Sequence, residues 1–160
     1  MALPRELALT PAQVDEIMTT QWNMRVATLG PGSRINLTPM WFGWGGGAVY
    51  FYGRGQKVVN VRRNPACSII VDRNERFPEL QGIMLQGEAR VLEDAQAETD
   101  DPHLEQVRVQ MGMKYNGGHG QPPLENPGAF AATARGRSRR WIVLQPQHVV
   151  TWDNFKLPKS

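Results

Sequence analysis

Sixteen glycines and twelve prolines punctuate this chain, and many of them fall where short apolar runs stop. Gly30-Pro31-Gly32-Ser33, Gly45-Gly46-Gly47 and Gly53-Arg54-Gly55 are turn signals. The first closes an alternating run, Met24 to Leu29. The second follows an apolar, aromatic stretch from Ile35 to Trp44, and the third ends Ala48-Val49-Tyr50-Phe51-Tyr52. Such runs read as strands, and these three as an antiparallel meander. Pro39 interrupts the second run, which predicts an edge, a bulge or a bend, because proline gives the ladder no N–H.

The same reading continues along the chain. Ala66 to Val71 is a strand, and Ile83 to Leu92 is a longer one. Met84, Gln86, Glu88 and Arg90 point one way along it, and Ile83, Leu85, Gly87, Ala89 and Val91 the other. Trp141 to Leu144 and Val149 to Trp152 are two final strands separated by Pro146. Three helices are predicted. Thr10-Pro11-Ala12-Gln13 has a cap, a first-turn proline and the partner of a capping box. Gln56 to Asn64 has the length of a two-turn helix stopped before Pro65, with Lys57, Asn60 and Val61 on one face. Pro102 to about Met113 carries Leu104, Val107 and Met111 at helical spacing. Asn116 to Arg139, rich in glycine and proline, reads as a long loop. Six or seven strands with three peripheral helices imply a mainly β fold, a small barrel whose ends the helices plug.

At 160 residues and 18.0 kDa the chain suits a single domain, residues 1–160. No run approaches the length of a membrane-spanning helix. MALPRELALTPAQ lacks the apolar core of a secretory signal. Cys67 is a single cysteine, so an internal disulfide is excluded and a cytoplasmic location is expected.

The net charge is +3, unevenly spread. Arg54, Lys57, Arg62 and Arg63 form one basic cluster, and Arg135, Arg137, Arg139 and Arg140 a second. Acidic residues gather between Glu88 and Glu105. No P-loop or dinucleotide fingerprint is present, and His103, His119 and His148 lack metal-ligand spacing. Asp100 and Asp101 read as solvated, and Cys67 as a buried small hydrophobe. If the chain is an enzyme, a cofactor brings the reactive group.

The segment Tyr52 to Pro65 carries the strongest functional signal. A strand ends, glycines turn the backbone, and a helix opens with a lysine, where the helix dipole disfavours positive charge. An anion held by Lys57 and the helix N–H groups removes that conflict; a solvated lysine is the other reading. Asn36-Leu37-Thr38-Pro39-Met40-Trp41-Phe42 is a second candidate, a bent strand that could wall a flat ring or simply belong to the core.

Val26-Ala27-Thr28-Leu29, Thr38-Pro39-Met40-Trp41-Phe42, Lys57 to Pro65, Ser68 to Asp72 and Gln86-Gly87-Glu88-Ala89 occur in an order that resembles the split β-barrel flavin and deazaflavin oxidoreductases, which include pyridoxamine 5′-phosphate oxidase. The ending, Thr151 to Leu157, resembles an actinobacterial branch that uses coenzyme F420. The resemblance implies a homodimer with cofactor sites at the subunit interface. It implies that Lys57 and Asn60 hold the cofactor phosphate, and that Thr38, Pro39, Met40 and Trp41 lie along the ring system. Arg54 and Arg62 are further cofactor candidates, either of which could reach the acidic tail or face solvent, and the arginine run to Arg140 is a candidate for an acidic cofactor tail or the partner subunit.

The reading that follows is an F420-dependent reductase acting on an electron-poor enone, quinone or nitro compound, with Met40, Trp41 and Trp152 lining the substrate slot. An FMN-dependent enzyme of the same fold is the nearest alternative, and a carrier without turnover a second. A nucleic-acid-binding barrel is a third, disfavoured because the basic residues alternate poorly with aromatics.

Overall fold

The computed structural model describes residues 5–115, 125–126 and 139–158. Most of the predicted 116–139 loop, with Arg135 and Arg137, lies outside them. Seven strands form one antiparallel sheet: β1 (Met24–Leu29), β2 (Ile35–Met40), β3 (Gly43–Gly45), β4 (Ala48–Gly53), β5 (Ala66–Arg73), β6 (Gln81–Leu92) and β7 (Arg140–Asp153), in the spatial order β2-β1-β5-β6-β7-β4-β3. The sheet curls into a half-barrel of mainly β composition.

The predicted meander is not what forms. The run from Ile35 to Trp44 is two strands, β2 on one edge of the sheet and β3 on the other. β2 pairs with β1, placing Thr38 opposite Val26, while β3 pairs with β4. Pro39 sits in the edge strand, where its missing N–H costs least. Trp41 and Phe42 alone carry the chain from edge to edge, across a seam with no ladder. The Phe42 N–H donates instead to the Tyr115 hydroxyl at 3.0 Å, and that hydroxyl lies 3.0 Å from the Phe42 carbonyl. Between β3 and β4, Gly46 and Gly47 both adopt positive φ, 58° and 73°. This is the backbone a two-residue hairpin turn needs.

The two C-terminal strands expected around Pro146 are one continuous strand. Register slips between Gln86 and Gly87, so Gln86 faces His148 and Gly87 faces Pro146, leaving Gln147 as the extra residue of a bulge. The bulge absorbs the proline. It also requires Gly87, because a Cβ there would stand 2.1 Å from the Gln145 carbonyl oxygen. The extra residue lies in β7, so the alternation predicted along β6 holds: Ile83, Leu85, Ala89 and Val91 face the core, while Met84, Gln86, Glu88 and Arg90 are partly or fully exposed.

Four helices, not three, pack on the sheet among the described residues: α1 (Pro11–Thr20), α2 (Gln56–Arg63), α3 (Ala95–Asp100) and α4 (Leu104–Tyr115). The capping box of α1 forms as predicted, with reciprocal bonds between Thr10 and Gln13. The acidic segment holds a helix the sequence reading missed, α3, joined to α4 by an ion pair between Glu98 and Arg108. Asp101 is a correction as well. It is buried, not solvated, and accepts from the Tyr50 hydroxyl and the N–H groups of His103 and Leu104.

β4 and the Trp141–Leu144 part of β7 are buried on both faces. Val49, Phe51, Ile142 and Leu144 join Val26, Ile69, Ile83 and Leu85 inside the curl, with Ile17 and Met18 of α1 and Val58 and Val61 of α2. Tyr50, Trp141 and Val143 face the other way and pack under Leu104, Val107 and Met111 of α4. Cys67 lies in the first core, where burial pushes its thiol up to about 12 and removes it as a nucleophile at neutral pH.

Candidate functional site

A cleft of about 410 Å³ opens where β4 ends and α2 begins. Pro39 and Met40 at the end of β2, with Trp41, form one wall. Tyr52, Gly53, Arg54 and Lys57 form another, with Asn23 and Arg139 completing it. The local sequence explains the shape. Gly55 caps α2 with a positive φ of 65° and no side chain, so no side-chain cap covers the helix start, and a Cβ at Gly55 would meet nothing within 4 Å. β4 delivers Arg54 to that spot, and Lys57 follows in the first turn.

The electrostatics are one-sided. The cleft is lined by three cations and no carboxylate. The side chains of Arg54 and Lys57 have no hydrogen-bond or ion-pair partner among the described residues. Cations gathered at a helix N-terminus are unfavourable by themselves and fit an anionic ligand, a phosphate above all. The Tyr52 hydroxyl oxygen is buried without a partner, and burial raises its titration above the ordinary tyrosine value. It is a neutral donor awaiting an acceptor.

Of the sequence candidates, Pro39, Met40, Trp41, Arg54 and Lys57 meet at this cleft. The other three are placed elsewhere. Thr38 faces inward from β2, its hydroxyl oxygen buried and unpartnered like Asn36 Oδ1 two residues before it. Asn60 is buried and ties α2 to the sheet, donating to Thr28 Oγ1 at 3.0 Å and accepting from Gln56 at 2.7 Å. Arg62 turns outward into a two-pronged pair with Glu93, at 2.8 and 2.5 Å, which holds the Glu93 carboxyl below its usual range. Trp152 packs against Gly82 and does not line the cleft.

Asn23 and Tyr52 were missed, although Tyr52 directly precedes Gly53-Arg54-Gly55. Arg139 belongs to the arginine run that the resemblance made a candidate for the cofactor tail or the partner subunit, and the pairing of Gly53 with Arg140 across β4 and β7 brings it to the cleft. No group of metal-ligating residues forms among the described residues.

Beside the cleft, Trp41 stacks on Tyr115 with centroids 4.4 Å apart and planes 4° from parallel. Lys114 lies behind them, its ammonium 4.1 Å from the Phe42 ring and donating to the Gln21 carbonyl at 3.0 Å. Burial lowers Lys114 to about 8. An unfolded lysine stays charged to about pH 10.4, so above pH 8 the unfolded chain binds the extra proton and the Lys114 contribution to stability rises with pH. The stability of the wild type measured in urea should therefore rise relative to that of Lys114→Met between pH 8 and 10, by up to about 1.4 kcal/mol per unit, while the buried Cys67 thiol gives both proteins the same opposing slope.

A family model described as pyridoxamine 5′-phosphate oxidase matches residues 10–153. Solved structures share the fold. A conserved hypothetical protein of Mycobacterium tuberculosis is 22% identical with a TM-score of 0.80, the match covering 100% of this chain and 96% of that one. An FAD-binding protein of Mesorhizobium loti is 17% identical at 0.61, covering 90% and 94%. An F420 reductase is 18% identical at 0.56, covering 84% and 94%. No curated protein matches the chain. No helix among the described residues is long and apolar enough to cross a membrane.

Proposed function

The chain belongs to the pyridoxamine 5′-phosphate oxidase family, and on that premise we propose that it is an oxidoreductase that holds a flavin-type cofactor in the Arg54–Lys57 cleft, with coenzyme F420 as the preferred cofactor. The observation that carries this reading is a cleft with three cations and no acidic residue at a helix start. Lys57, Arg54 and the first N–H groups of α2 take the phosphate. Pro39 and Met40 form a dry wall beside the ring system. Arg139 extends the positive lobe, which suits the anionic tail of a deazaflavin better than FMN with its single phosphate. When bound, the cofactor supplies a hydride to an electron-poor enone, quinone or nitro compound. The protein contributes orientation, exclusion of water and charge, and the proton comes from solvent.

FMN on the same cations is the second reading, and the FAD-binding neighbour extends it to FAD. Side-by-side titrations of the protein with F420, FMN and FAD, followed by tryptophan fluorescence, decide among them. Tighter binding of F420 supports the proposal, preference for FMN or FAD moves the protein to flavin chemistry, and binding of none overturns the cofactor assignment. Tight F420 binding with no turnover of any acceptor makes it a carrier.

The same reading includes a homodimer. Ile35 and Leu37 of the edge strand β2 are 68% and 63% exposed. Leu29 and Ala27 lie opposite them on β1, and β5 continues the face through Ser68 opposite Ala27 and Ile70 opposite Arg25. An apolar sheet face of this kind marks an interface. The protein should sediment at twice its 18.0 kDa, and Leu37→Glu should weaken the dimer at least about tenfold by burying a charge in its centre. A monomeric wild type defeats this part of the proposal.

A further inference from the structure

We infer that the Trp41 indole is a prebuilt platform for a flat, electron-poor aromatic ring, the acceptor that enters the cleft as the second ligand. This rests on the oxidoreductase reading and names its substrate class. Trp41 is 44% exposed although its neighbour Phe42 is fully buried. Tyr115 stacks against the indole, which also lines the cleft. Trp22 meets both rings edge-on, with centroids at 6.4 and 5.6 Å.

The arrangement is held before any ligand arrives. The Tyr115 hydroxyl accepts the Phe42 N–H and lies 2.9 Å from the Trp22 carbonyl, so the ring beneath the indole is pinned by main chain on two sides. A ring that lands on Trp41 therefore orders little of the protein, and most of the stacking energy appears as affinity.

Charge selects the kind of ring. An indole face is electron-rich and attracts either a cation or an electron-poor π system. Arg54, Lys57 and Arg139 line the same cleft and repel a cationic ligand. A neutral or anionic flat ring with withdrawing groups, a quinone or a nitroarene, satisfies both walls. A cyclic enone offers only the small π face of its C=C–C=O unit on a puckered ring, so it gains far less from stacking.

The test is calorimetric titration of the protein loaded with oxidised cofactor, so that no turnover occurs. The probes are 2-methyl-1,4-naphthoquinone, 4-nitrobenzoate and cyclohex-2-enone. Trp41→Leu should raise the dissociation constants of the two aromatic probes about tenfold, and Trp41→Phe, which keeps a ring on Tyr115, about threefold. Cyclohexenone and the cofactor itself should change by less than about twofold. Equal losses for naphthoquinone and cyclohexenone overturn the platform. So does a loss confined to the cofactor, which assigns the indole to the cofactor ring instead. If the wild type binds none of F420, FMN and FAD, the oxidoreductase reading fails separately. Naphthoquinone titration of the cofactor-free protein then decides the platform alone: binding that Trp41→Leu abolishes supports it, and binding indifferent to Trp41 overturns it.

Discussion

Alanine at Lys57 is expected to raise the dissociation constant of the bound cofactor about tenfold, and alanine at both Arg54 and Lys57 up to about a hundredfold. A charge-assisted bond to phosphate contributes about 1.5–3 kcal/mol, and each 1.4 kcal/mol is a factor of ten. The lower end applies, because the cleft is open and salt screens it. The two side chains share one partner, so about a hundredfold, the additive value, is the ceiling for the double variant. Folding stability should move by no more than about 0.5 kcal/mol, since neither side chain serves another group in the described structure. Arg62→Ala is the internal control. Its guanidinium is engaged by Glu93, and its loss should alter cofactor affinity by less than about twofold. Calorimetric titrations at two salt concentrations read all of this. An Arg62 variant as impaired as the Lys57 variant would sink the assignment of the phosphate to the helix start.

The largest effect on stability is expected at Asp101. Its carboxylate gathers the Tyr50 hydroxyl at 2.9 Å, the N–H groups of His103 and Leu104 at 3.1 and 3.0 Å, and the Arg90 guanidinium. It therefore starts α4, anchors β4 and meets β6. Burial alone would raise the carboxyl, but these donors outweigh it and hold it below the ordinary aspartate value. Asp101→Ala leaves several buried groups unpartnered and should cost roughly 3–4 kcal/mol, lowering the melting temperature by about 10 °C. Asp101→Asn keeps a capping oxygen and should lose about half of that. Arg90→Ala should cost under about 1 kcal/mol, because Arg90 is largely exposed. The sign with pH follows from a lowered carboxyl. Its contribution is complete above the unfolded value, about 3.9, and disappears as pH falls through the folded one. Urea denaturation at pH 7 and at pH 3 should show the wild type's advantage over Asp101→Ala shrinking at the lower pH.

Local signals carried well where local physics decides. The capping box at Thr10 and Gln13, the two-glycine turn and the helix opening at Lys57 were legible because each depends on residues within four positions. The meander failed for the opposite reason. Nothing between Ile35 and Trp44 says that the chain crosses from one edge of the sheet to the other, since a strand ending at Met40 and one beginning at Gly43 look like one apolar run. Asp101 read as a surface carboxylate because its donors come from Tyr50, Arg90 and the start of α4, brought together only by folding. The site divides in the same way. Lys57 and Arg54 were found through the misplaced charge at a helix start, whereas Arg139 reaches the cleft through the pairing of β4 with β7. Asn60 and Arg62 share the helix of Lys57, but the Asn60 amide is spent on Thr28 and Gln56 and the Arg62 guanidinium on Glu93, partners that helical spacing alone does not reveal.

The seam at Trp41 and Phe42 has a mechanical meaning. A fully laddered barrel is a hoop, whose girth is set by strand number and stagger. Here the hoop is cut, and the cut is bridged by two residues of main chain and one tyrosine hydroxyl from α4. The circumference is therefore a soft coordinate. No strand–strand ladder has to break for the two edges to part there, so of all the boundaries in the sheet this one, which borders the cleft, offers the least main-chain resistance to a change of girth.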